Sequence, residues 1–240
     1  MTTPASTPPT SRPVRLLIVD DDPLVRAGLT LMLGGAADID IVGEGADGSE
    51  AAELVERLRP DVVLMDIRMP VMDGLTATEA LRSRPDAPEI VLLTTFHADE
   101  QVLRAIRAGA AGFVLKDTPP AQIVDSVRRV AAGDPVLSPA VTRQLMARAA
   151  DSGREERADR AQRARQRLTL LAEREREVAI AVGHGRSNAE IAAALYLSVA
   201  TVKTQVSRIL AKFDFNNRVQ IALLVHDAGL LDDGDGAGPS

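Results

Sequence analysis

With 240 residues, 45% of them hydrophobic, the chain is long enough for one full α/β domain and a smaller second one. A net charge of −6 argues against a protein that coats nucleic acid generally, so any DNA contact has to come from a local patch. The absence of cysteine excludes disulfide frameworks and thiolate metal sites and fits a reducing compartment. No stretch is long and apolar enough to span a membrane, and the Thr-, Ser- and Pro-rich residues 1–13 lack the apolar core of a secretion signal, so a cytoplasmic location is expected.

Beyond that tail, the first half of the chain alternates short apolar runs with helix-period segments. This is the pattern of βαβ units and therefore of a parallel sheet covered on both faces. Strands are predicted over 14–19, 39–44, 61–66, 89–94 and 112–115. Helices are predicted over 23–34, 48–58, 74–83, 98–109 and 119–132, with Gly34, Gly109 and Gly133 as C-terminal stops. The expected fold of this half is a five-stranded, doubly wound parallel sheet over 14–133.

Each central run ends on a chemically useful side chain. Leu16-Leu17-Ile18-Val19 runs into Asp20, Asp21 and Asp22, and Val62-Val63-Leu64-Met65 ends on Asp66, with Met69-Pro70 and Asp73-Gly74 following. Glu89-Ile90-Val91-Leu92-Leu93 ends at Thr94, and Gly112-Phe113-Val114-Leu115 ends at Lys116. The carboxyl edge of an open parallel sheet is where ligands bind, and carboxylate oxygens are the ligands that Mg²⁺ prefers. A carboxylate can attack a phosphoryl group when a metal and a cation neutralise the transferring oxygens. Asp66, Mg²⁺ and Lys116 fill those roles. Singly, each residue has a plainer reading: an Asp before a helix is usually an N-cap, and Thr is at home in a strand. The joint spacing is the signal.

Asp20-Asp21, Asp66, Thr94 and Lys116, in this order and at these strand ends, resemble the receiver domain of bacterial two-component response regulators, over roughly residues 14–133. The resemblance implies that Asp66 accepts a phosphoryl group from a sensor histidine kinase. It also implies that Asp20, Asp21 and Asp66 bind Mg²⁺ together with the backbone carbonyl of Arg68. Asp22 is an extra acid, which either shifts metal affinity or faces water at the start of a helix. In such receivers the signal is carried by Thr94 and by an aromatic residue on the last strand, here Phe113. The Thr94 hydroxyl moves toward the phosphoryl group and Phe113 turns inward. Kinase docking is expected near the first helix, at Pro23, Leu24 and Arg26.

Residues 134–167 read as a linker. Ser138-Pro139 can cap a helix through Val141, Leu145 and Met146, and residues 151–167 then carry six arginines against four acids with almost nothing apolar. That tract, helical or disordered, is too polar to form a core of its own, and its arginines read as a solvated face in preference to a nucleic-acid-binding arm.

Helical periodicity returns over 168–231, with candidate helices from Leu171 to Val182, Asn188 to Leu195, Val199 to Phe213 and Val219 to Ala228, before a tail at 232–240. Ser187 and Glu190 have capping-box spacing, and Ser198 can cap the next helix. The segment from Ser187 to Lys203 thus reads as helix, tight turn, helix. On the second helix Val199, Val202, Val206, Ile209 and Leu210 form an apolar stripe. Thr201, Lys203, Thr204, Gln205, Ser207, Arg208 and Lys212 are left on a polar, basic face suited to a major groove. Between Arg186 and Arg218, five cations against two acids give a small patch of +3. The scattered His97, His184 and His226 suggest no metal cluster.

These residues resemble the LuxR/NarL-type helix-turn-helix domain. Leu171-Ala172-Glu173-Arg174-Glu175-Arg176-Glu177 matches that family's opening signature, except that Ala172 stands where a capping Thr is usual, at a cost on the order of 1 kcal/mol. Gln205 replaces a common His, and Phe213-Asp214-Phe215-Asn216-Asn217 is an unusual stretch. The resemblance implies Lys203, Thr204 and Ser207 as the leading groove-facing residues and the helix from Val219 as a dimer contact. The implied protein is a transcription factor gated by phosphorylation. It is not an enzyme with a separate substrate, and its partners are a sensor histidine kinase, double-stranded promoter DNA, a second copy when active, and RNA polymerase. A constitutive DNA binder with a degenerate receiver is the second reading. A phosphatase is a weak third, since the helix-turn-helix would go unexplained.

Overall fold

The computed structural model describes residues 12–84, 86–94, 99–137 and 154–231. Strands β1 (Val14–Val19), β2 (Ile39–Gly45), β3 (Val62–Asp66), β4 (Glu89–Thr94) and β5 (Gly112–Leu115) alternate with helices α1 (Pro23–Leu33), α2 (Ala51–Leu58), α3 (Gly74–Arg82), α4 (Asp99–Ala108) and α5 (Pro120–Ala131). A sixth strand, β6 (Val136–Leu137), follows α5 and pairs in parallel with β5, so the sheet order is β2-β1-β3-β4-β5-β6. Sequence reading left these two residues in the linker, because two residues are too few to show a period.

The sheet is parallel throughout, and its strands alternate sides as the pleat requires. Leu16, Ile18, Val62, Leu64, Val91 and Val114 pack under Leu29 and Leu33 of α1 and Ile123, Val127 and Val130 of α5. Leu17, Val19, Val63, Met65, Ile90, Leu92 and Phe113 pack under α2, α3 and α4. Burial on both faces explains why these strands read as unbroken apolar runs. Gly109 and Gly133 end α4 and α5 at φ +100 and +87, backbone that a side chain would strain. Gly34 ends α1 with ordinary right-handed φ −63.

The C-terminal domain comprises α7 (Glu173–Gly183), α8 (Asn188–Leu195), α9 (Val199–Phe213) and α10 (Arg218–Asp227). Upstream runs α6 (Arg154–Leu168), the arginine-rich tract read as linker. Ala164 and Leu168 of α6 lie in the same core as Val178, Val182, Ile191, Val202, Ile209, Ile221 and Val225. Two of its arginines are structural: Arg165 donates to Ala228 O at 2.8 Å, and Arg167 donates to Phe213 O at 3.0 Å. Arg167 also stacks over the rings of Phe213 and Phe215, at 4.9 and 4.7 Å from their centroids. The expected helix through Val141 lies outside the described residues.

Candidate functional site

In the order β2-β1-β3 the chain reverses its direction of winding between β1 and β3, and a ligand crevice belongs outside that switch point. The carboxyl ends of those strands carry Asp20 and Asp66. Asp20 is fully buried and Asp66 is 6% exposed, whereas Asp21 faces solvent. Carboxylate oxygens of all three lie within 4.8 Å of one another. Such a donor set fits a hard divalent cation such as Mg²⁺.

Lys116 bridges the buried pair, with Nζ 2.6 Å from Asp20 Oδ2 and 3.0 Å from Asp66 Oδ1. It comes from just past β5, where Lys116 N–H donates to Thr94 O at 2.8 Å and so fixes the Thr94 and Lys116 backbones to each other. Thr94 itself is 2% exposed. Burial raises the pKa of the Asp66 carboxyl, and the Asp20 charge adds to this, while Lys116 and the Arg68 N–H, 3.2 Å from Oδ2, work against it. Burial would lower the Lys116 ammonium, but its bonds to Asp20 and Asp66 outweigh that and leave its pKa raised.

Asp22 caps α1: its Oδ1 accepts Leu24 N–H at 2.8 Å, and it stands outside the acidic cluster. Phe113, expected to turn inward when Thr94 moves, lies 2% exposed in the sheet core, in the cluster shared with α4. Leu24 on α1 is 81% exposed, and Arg68 is exposed on the loop after β3.

The polar face of α9 meets varied surroundings. Thr204 donates to Ala200 O at 3.0 Å, and Thr201 Oγ1 lies 2.8 Å from the capping Ser198 Oγ. Arg208 is exposed, and Gln205 is half-buried, with its Oε1 unpartnered among the described residues. Lys212 is exposed but tied down: its Nζ donates to Leu170 O at 3.0 Å and pairs with Glu175 at 2.8 Å. Lys203 and Ser207 line a cleft of about 200 Å³ between the domains, with Glu89, Gly133, Asn188 and Arg218. Burial raises the Glu89 carboxyl there, against the charges of Arg82 and Lys203.

The two domains are joined by a polar clamp that sequence reading missed. Arg218, 6% exposed, donates to Asn188 Oδ1 at 2.8 Å, Asp134 Oδ1 at 3.1 Å and Gly133 O at 3.3 Å, and also to Arg186 O. Asp134 Oδ1 accepts Asn188 N–H at 3.0 Å as well. Asn217 caps α10 by accepting Gln220 N–H, and its Nδ2 donates to Ile106 O and Ala110 O at the end of α4, at 2.8 and 2.9 Å. Arg82 donates to Asn216 O. Val219 is buried in the receiver core, with Leu223 packed against that cluster. The only advance signal was the odd stretch before Arg218. Its partners lie in another domain.

Comparison with known proteins agrees with this geometry. Residues 16–128 match the response regulator receiver domain, and residues 169–225 match the luxR family of bacterial regulatory proteins. The chain is 36% identical over 213 residues to the transcriptional regulatory protein LiaR of Bacillus subtilis, covering 89% of this chain and 97% of that protein. It is 34% identical over 218 residues to the response regulator protein VraR of Staphylococcus aureus, covering 91% and 99%. A crystal structure of a LuxR-family two-component response regulator from Aurantimonas sp. SI85-9A1 aligns at TM-score 0.55 and 31% identity, over 58% of this chain and 99% of that one. The chain belongs to the two-component transcriptional response regulators, with a receiver domain followed by a LuxR-type DNA-binding domain.

Proposed function

We propose that Asp66 takes a phosphoryl group from a partner sensor histidine kinase, and that this releases the docked C-terminal domain to dimerise and bind double-stranded promoter DNA. The observation that carries the reading is the Lys116 bridge between Asp20 and Asp66 at the switch point. An Asp66 carboxylate oxygen attacks phosphorus, a P–O bond forms, and the P–N bond of the donor phosphohistidine breaks, its imidazole leaving with a proton. Lys116 then holds one of the new phosphoryl oxygens. Asp20, Asp21 and Asp66, with the Arg68 carbonyl, would hold Mg²⁺, which when bound neutralises charge on the transferring group. Water attacking phosphorus later restores the Asp66 carboxylate and releases phosphate. The protein thus processes only its own modification. Its partners are that kinase, its promoters and RNA polymerase, and the protein itself works in the cytoplasm.

Closure supports the gating half of the proposal. Lys203 and Ser207 keep exposed surface but line a cleft of about 200 Å³ with Glu89 and Gly133 of the receiver, which crowds the approach of a duplex to them while docked. The α10 face with Val219 and Leu223, the expected dimer contact, is covered by the receiver. Phe113, Ile106 and Val219 share one apolar cluster, which gives movement at Thr94 a short packed route to α10. Phe113→Leu keeps that cluster filled while removing the ring. Its phosphorylation should match wild type, while the gain in affinity for selected genomic DNA fragments on adding phosphodonor should be lost. Full retention of that gain refutes the route through Phe113.

A further inference from the structure

The β2–α2 turn carries a carboxylate for which the phosphorylation chemistry has no direct use. Asp47 is 8% exposed and accepts four hydrogen bonds. Two are local, from Ser49 N–H at 2.9 Å and Ser49 Oγ at 2.8 Å. The other two come from the loop between β3 and α3: Val71 N–H to Oδ2 at 2.9 Å and Met72 N–H to Oδ1 at 3.1 Å. Burial pushes the Asp47 carboxyl up, but these donors win and hold its pKa below the ordinary range. It is a permanent anion latched across the sheet edge to a loop more than twenty residues downstream.

A second observation at the same contact is independent of charge. Gly48 lies so close to that loop that a Cβ on it would stand 2.5 Å from Met72 O. At its base the loop is fixed by Ile67 N–H to Leu93 O at 3.1 Å and Gly74 N–H to Ile67 O at 2.9 Å. Arg68 sits between the base and the Asp47 latch.

We propose that Asp47 is a positioning residue for metal binding: it latches the β3–α3 loop so that the Arg68 carbonyl is aimed at the Asp20–Asp21–Asp66 cluster before the cation arrives. The inference rests on the reading of that cluster as a Mg²⁺ site. Mg²⁺ demands near-octahedral geometry and tolerates misplaced oxygens poorly. Partners that orient a ligand from behind are worth about 10- to 100-fold in metal affinity.

The test is calorimetric titration of the full chain with Mg²⁺, alongside thermal unfolding of the metal-free protein. Asp47→Ala should bind Mg²⁺ at least about tenfold more weakly than wild type. Asp47→Asn should fall between, because its amide oxygen still accepts one of the loop N–H groups while its NH₂ cannot. Gly48→Ala, which keeps the carboxylate and displaces the loop, should also weaken binding, and both variants serve if Asp47→Ala does not fold. Val127→Ala, in the core on the opposite face of the sheet, should lower stability and leave Mg²⁺ affinity unchanged. Wild-type affinity in the folded Asp47 variants, or an equal loss in Val127→Ala, overturns the positioning role. No binding by wild type overturns both this role and the reading of the acidic cluster.

Discussion

Lys116 sits where two buried carboxylates would otherwise face each other, its own side chain being 17% exposed. Removing one member of a buried ionic group leaves charges without compensation, at a cost of about 3 kcal/mol or more. Lys116→Met should therefore lower the stability of the metal-free receiver by about 3 kcal/mol in urea unfolding at neutral pH. Added Mg²⁺ should shrink the deficit, since a cation is what the pair lacks; an equal deficit with and without Mg²⁺ would count against the cluster as a cation site. At this scale the clustering of Asp20, Asp66 and Lys116 was legible because each ends an apolar run, and their order along the chain is informative. The job of Asp22 was open until its bond to Leu24 N–H was visible. Asp47 was invisible, because its distant partners are backbone N–H groups that no side-chain pattern marks.

Helix α7 begins without a side-chain cap, as Ala172 led one to expect, yet half of the capping box survives. Glu175 Oε2 accepts Ala172 N–H at 3.0 Å and pairs with Lys212 at 2.8 Å. Ala172→Thr should complete the box and stabilise the C-terminal domain by about 1 kcal/mol in thermal unfolding. The Glu175 pKa is lowered, first by Lys212 and then by the Ala172 N–H, against a smaller effect of burial. A lowered folded pKa means that this contribution is complete above the unfolded pKa and fades as pH falls through the folded one. Glu175→Gln should accordingly be less stable than wild type at neutral pH, and the two should converge in acid below the ordinary glutamate range. A gap that persists there would assign the loss to packing.

The five principal strands and their helices were readable because burial on both faces of the sheet leaves uninterrupted apolar runs. Helix α6 was not assigned to a core, because its inward side offers little more than Ala164 and Leu168 and its remaining contacts are made by arginines. Lys212 was counted among the DNA-facing residues from helical spacing alone, which cannot tell that its tip reaches back to α7.

At the scale of the whole molecule, the C-terminal domain is held by a few buried polar groups and by Val219, and Lys203 and Ser207 of α9 line the cleft it shares with the receiver. Helical periodicity reports which faces are apolar within a domain but not which domain surface covers them, so beyond the odd stretch before Arg218 this docking left no trace in the sequence. Asp134 is shared within the clamp, since it accepts from both Arg218 and the Asn188 N–H. Asp134→Ala should leave Arg218 buried without its counter-charge and favour the undocked form. Amide exchange along α9 and α10 should rise, and DNA affinity without phosphodonor should move at least about tenfold toward the phosphorylated value, which corresponds to about 1.4 kcal/mol of lost docking. DNA affinity unchanged despite faster exchange would mean that closure does not limit binding. The domain's basic patch is small, but a dimer doubles its phosphate contacts, so affinity for DNA should still fall steeply with salt.

The most direct test of phosphorylation-gated control is the intact mass of the full chain after incubation with Mg²⁺ and a small-molecule phosphodonor, wild type beside Asp66→Asn. The account predicts a gain of one phosphoryl group in wild type and none in Asp66→Asn. The same gain in both, or addition at another residue, would contradict it.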